Sequence, residues 1–193
     1  MTPRLLKTAA VLVAAVLAVA GCGDDDEGDT PVDTTTIEPT AAGGELLCDF
    51  LPAESATLAL GGEVAAEGQA TRDSQGALSS AGCRVTVDGG GDVALRVLVD
   101  FMMGNARTGF EDGLADPETY HQLPDEQGLG YTFADGDGAQ ARLSSGDYLV
   151  EVRIAAPAEG RDGEADAAAI AQQVTRTLEI PQEWTLQGTP PSR

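Results

Sequence analysis

Any chemistry in this 193-residue chain has to come from one histidine, three cysteines and a large stock of carboxylates. His121 stands alone in Tyr120-His121-Gln122, so a zinc site with several histidine ligands is excluded. Any hydrolytic triad would depend on that one ring. There is no Gly-x-Ser-x-Gly elbow, and the lack of lysine after Lys7 removes a Ser-x-x-Lys arrangement. His121 is therefore expected in an exposed loop. Asp135-Gly136-Asp137-Gly138 opens like a calcium loop, yet Ala139 stands where an acid or amide is needed and Gly146 where the bidentate glutamate belongs. A polar hairpin turn accounts for the same residues. Glu111-Asp112 and Asp125-Glu126 are only sequence neighbours, and nothing in their spacing makes them converge on a cleft. Gly89-Gly90-Gly91 and Gly128-Leu129-Gly130 do not open a helix with phosphate-loop spacing. No metal, cofactor or catalytic residue is expected.

The cysteines say more. Val19-Ala20-Gly21-Cys22 closes an apolar run from Ala9 to Ala20, behind a positive segment carrying Arg4 and Lys7. That is the pattern of a bacterial lipoprotein signal, cut between Gly21 and Cys22 with lipid on the cysteine sulfur. The 12-residue run is too short for a bilayer, which takes about 20 apolar residues. Setting Cys22 aside leaves Cys48 and Cys83, and outside the cytoplasm one pairing remains for them. The bridge would close a 36-residue loop, contributing roughly 4 kcal/mol in the chain-entropy model. A redox or metal pair would want Cys-x-x-Cys or nearby histidines, and neither exists.

Beyond residue 21 the chain holds nine arginines, no lysine and 32 acids, a formal charge of −23. Such a field repels phosphate backbones and anionic headgroups, so nucleic acid is excluded as a partner. Residues 22–44 are acidic, rich in Thr, Pro and Gly and poor in large apolar side chains, the composition of a disordered, self-repelling tether. Residues 45–187 suit a single domain, and 188–193 a frayed tail.

Within that domain, Leu46 to Leu51 reads as an apolar turn, followed by a helix with Pro52 in its first turn and Gly61-Gly62 as its stop. Residues 63–82 read as a loop with at most one weak strand. Val93, Leu95, Val97, Val99 and Phe101 alternate with other residues at period two, as do Tyr148, Val150, Val152 and Ile154. Hairpins are expected across Asp88–Asp92, across Asp135–Gly138 and at Ser145-Gly146. Glu164 to Leu178 carries Ala167, Ile170, Ala171, Val174 and Leu178 at helical spacing. The order of helix, hairpin, linker, hairpin with extra strand, and helix looks like a crude duplication. It predicts an α+β two-layer sandwich: a twisted antiparallel sheet with two main helices on one face.

Three segments resemble the actinobacterial cell-envelope lipoproteins built on a secreted two-cysteine domain of unknown function. They are Cys48-Asp49-Phe50-Leu51-Pro52-Ala53-Glu54 running to Leu60-Gly61, then Gly82-Cys83-Arg84-Val85, then Gly128-Leu129-Gly130-Tyr131 with the alanine-rich final helix. Val85 departs from that family, which often has an aromatic near this position. The resemblance spans most of residues 45–180 and implies a disulfide and an envelope location, but no catalytic residues. The expectation is a non-catalytic lipoprotein held by Cys22 on the extracytoplasmic face of the membrane. Its domain would bind an envelope protein or a small ligand. Two other readings stay open: a hydrolase using converging carboxylates, and a carrier of a small apolar ligand.

Overall fold

A computed structural model describes residues 36–40, 43–102, 110–111, 113–124 and 127–181. The expected signal segment 1–21, Cys22 and the expected tail 188–193 lie outside the described residues. Seven strands form one antiparallel sheet: β3 (Val64–Arg72), β4 (Leu78–Val87), β5 (Leu95–Phe101), β6 (His121–Gln122), β7 (Leu129–Asp135), β8 (Gly138–Ser145) and β9 (Tyr148–Ile154). Their spatial order is β3-β4-β5-β9-β8-β7-β6. Two meanders thus meet where β5 pairs antiparallel with β9. A small ribbon of β1 (Leu46–Leu47) and β2 (Leu51–Pro52) precedes α1 (Ala53–Leu60), and α2 (Gly163–Thr177) follows the last strand. The fold is the expected α+β sandwich.

Alternation builds the inner layer. Cys83, Val97, Val152, Ala141 and Thr132 are successive cross-strand partners, and Ala81, Val99, Val150 and Leu143 form the next row. All nine are buried. The helix α2 lies across β7, β8 and β9, placing Ala167, Ile170, Ala171 and Val174 against these rows. Its alanines let the helix axis approach the sheet, while Ile170 and Val174, both fully buried, each contribute about 1.5–3 kcal/mol. At the start of this helix, the Asp162 carboxylate accepts from the Glu164 and Ala165 amides, satisfying two of the orphan donors. Arg161 forks onto Asp166 through two bonds of 2.6 and 2.7 Å, both side chains being buried.

The short helix α1 ends as expected, at Gly61 in the left-handed region with φ 73°, its amide on the Thr57 carbonyl. Pro52 sits one position earlier than expected, at the N-cap. Between the ribbon strands, Cys48 and Asp49 take positive φ, and the Cys48–Cys83 disulfide ties that turn to β4.

Two expectations need correction. Residues 63–82 hold the nine-residue β3 and the start of β4; β3 is an edge strand exposed on almost every residue, so no alternation marks it. The packed part of the chain also reaches back before residue 45: Ile37 is buried in the core, and Gln173 Nε2 donates to the Glu38 carbonyl at 2.6 Å. One isolated isoleucine among Thr and Pro leaves too little compositional trace for that docking to be read.

The outer face is partly covered. Phe110 and Tyr120 pack on Tyr131 and Phe133 of β7 in edge-to-face contacts of 4.9–5.5 Å. That cluster lies at the β7 end of the sheet. On the outer face over β4, β5 and β9, Arg84, Arg96 and Arg153 are exposed.

Candidate functional site

A hollow of about 600 Å³ opens where the first turns of α2 pass the β6–β7 edge. Ile37 and Pro39 wall it on one side, Leu123 and Pro124 on another, and Ala165, Ala168 and Ala169 form the helix side. Its polar end is made by three side chains. Pairing of β6 with β7 sets His121 opposite Thr132, on the same inner row as Ala141. Glu164, in the first turn of α2, reaches across to both. Thr132 Oγ1 donates to Glu164 Oε2 at 2.6 Å, and His121 Nδ1 lies 2.7 Å from the same oxygen. The carboxylate accepts, so Nδ1 carries the ring proton in this contact. Thr132 is buried and the Glu164 side chain is 23% exposed, whereas His121 is 60% exposed.

The chemistry of this arrangement is that of a carboxylate held by two donors. The Thr132 hydroxyl bonds Glu164 rather than His121, so no imidazole is placed to take its proton. Asp162 also lines the hollow, but its carboxylate is engaged in capping the helix. Among the described residues no group of three or more His, Cys, Asp or Glu is placed to hold a metal ion.

His121 is in a paired edge strand rather than a loop, which corrects the sequence expectation. Asp135–Gly138 forms the β7–β8 turn, as expected. The Cys48–Cys83 bridge is present, with its Cα atoms 5.8 Å apart. Gly21 and Cys22 lie outside the described residues. Glu164 and Thr132 were not anticipated as site residues. Acids at the start of α2 are visible in the sequence as partners of the helix dipole, but the 43-residue separation from His121 hides their pairing.

On the outer face, burial works to lower the Arg142 pKa, but contact with the Tyr131 hydroxyl and Glu151 outweighs it and holds the guanidinium above its ordinary range.

Fold and hollow together define an α+β two-layer domain with one open, mainly apolar recess beside a carboxylate–histidine pair. No family model matches the chain, and no curated protein matches it. No helix among the described residues is long and apolar enough to cross a membrane.

Proposed function

We propose that this chain is a lipid-anchored envelope lipoprotein whose domain binds a small ligand in the hollow beside α2, without catalysis. The observation that carries the reading is the pairing of an apolar recess of about 600 Å³ with a single polar end at Glu164, His121 and Thr132. A recess of this size suits a small molecule with an apolar body and a few fixed polar contacts. Because the polar end is a carboxylate, the ligand is one that offers a donor or a positive charge. The anchor rests on Val19-Ala20-Gly21-Cys22 and on the resemblance to envelope lipoproteins. Two features weigh against a carboxylate-dependent hydrolase: Asp162 is committed to the helix cap, and the Glu164 carboxylate is already held by Thr132 and His121. The recess opens to solvent, which weighs against a closed carrier.

Native mass spectrometry of the full-length protein, gently extracted from its own envelopes, tests the binding. The expected spectrum carries an added small-molecule mass that is lost in Ala165→Trp, a substitution at an exposed position that plugs the recess. An adduct retained by Ala165→Trp, or no adduct on the parent protein, would overturn the reading.

A further inference from the structure

The outer face of the sheet carries a row of like charges. Arg84 of β4 is the direct partner of Arg96 of β5, and Arg96 is the direct partner of Arg153 of β9. Directly opposed like charges destabilise a sheet, and this chain has 32 acids available against 11 basic residues. The neighbouring acids are nevertheless distributed so that the middle arginine receives none. Glu67 meets Arg84 at 3.2 Å, Asp135 meets Arg153 at 2.8 Å, and Glu151 meets Arg142 at 2.9 Å. Arg96 is exposed and has no carboxylate partner among the described residues.

A second hollow, of about 300 Å³, lies beside it, lined by Glu67, Gly82, Arg84, Arg96 and Leu98. Its floor is Gly82, the cross-strand partner of Leu98. The backbone does not require glycine there: φ is not positive, and a Cβ would meet only Leu98 Cδ2, at 3.8 Å. What glycine provides at this position is the gap itself. Arg96 and Arg84 form one wall of the gap and Leu98 another.

We infer that this recess binds a monoanionic carboxylate through the Arg96 guanidinium, with the ligand's apolar portion on Leu98. The guanidinium fork matches a carboxylate with two parallel bonds. One uncompensated arginine beside the Glu67 carboxylate balances a single negative charge, which selects against dianionic phosphate. The site is on the opposite face of the sheet from α2 and does not depend on the reading of the larger hollow.

The test is a titration of the purified, disulfide-intact protein with butyrate, followed by NMR on the arginine Nε–Hε resonances, with inorganic phosphate at neutral pH as the contrast. The Arg96 resonance is expected to shift saturably with butyrate and far less with phosphate. Arg96→Gln should weaken butyrate binding at least about tenfold, as loss of a charge-assisted pair does. Gly82→Leu keeps Arg96 but fills the gap, and should abolish the saturable shift. It also decides the matter if Arg96→Gln does not fold. Preferred binding of phosphate, butyrate binding unchanged in Gly82→Leu, or no saturable shift at all would overturn the inference.

Discussion

At the scale of single residues, Tyr148 shows how one hydroxyl couples the sheet to solution conditions. Its ring is buried at the inner end of β9, edge-on to Phe101 at 5.3 Å, and its hydroxyl donates to the Leu78 carbonyl at 2.6 Å. Burial raises its pKa, and the neighbouring Asp147 carboxylate adds to the rise. The folded state therefore holds the phenol proton more tightly than the unfolded chain, whose tyrosine titrates near pH 10. The stabilisation is fully present below about pH 10 and is lost as pH climbs through the raised folded value. Tyr148→Phe should cost about 1 kcal/mol in urea unfolding at pH 7, because the Leu78 carbonyl loses its donor. That cost should shrink in the same measurement above pH 10; a difference between parent and variant that stays constant with pH would contradict the account. None of this was legible in the sequence beyond the alternation that buries Tyr148. The carbonyl it reaches lies 70 residues away.

At the scale of elements, what could be read depended on whether packing imposes a period. The strands β5 and β9 bury one face and leave the other more open, so their apolar residues alternate and were visible. The edge strand β3 has little to bury on either face, so Val64–Arg72 showed no period and passed for a loop. The final helix was readable from its apolar stripe, but its role in the candidate site was not. That role depends on where its first turn lands relative to β6, and on Ile37 docking from the chain before the domain. The N-cap links these features. Asp162 fixes the turn that presents Glu164 to His121 and Thr132. Asp162→Ala should lower stability by about 1 kcal/mol, the usual cost of a lost cap. It should also loosen the Glu164 contacts, seen as faster hydrogen exchange at the Glu164 and Ala165 amides than in the parent. Unchanged exchange at those two amides would mean that the cap does not position the site.

The whole molecule is governed by its charge. A formal charge of −21 on 193 residues makes every described ion pair a local exception within a repulsive field. The arginines left after residue 21 are few, and four of them, Arg84, Arg96, Arg142 and Arg153, share one face of one sheet. Few acids are neutralised by these arginines, and compaction brings like charges in a folded domain closer than they are in the unfolded chain. Two effects of salt oppose each other. Added salt weakens exposed pairs such as Arg84–Glu67, each contributing at most about 1 kcal/mol. It also screens the net repulsion, whose range falls from about 30 Å at 0.01 M to about 3 Å at 1 M. The exposed pairs are few against 32 acids, so screening should win. The thermal midpoint should rise by about 2–4 °C between 10 and 500 mM sodium chloride, the shift that about 1 kcal/mol produces in a domain of this size. Sodium chloride is the informative salt, because sulfate would also strengthen apolar burial. A falling midpoint would mean that the ion pairs outweigh the repulsion.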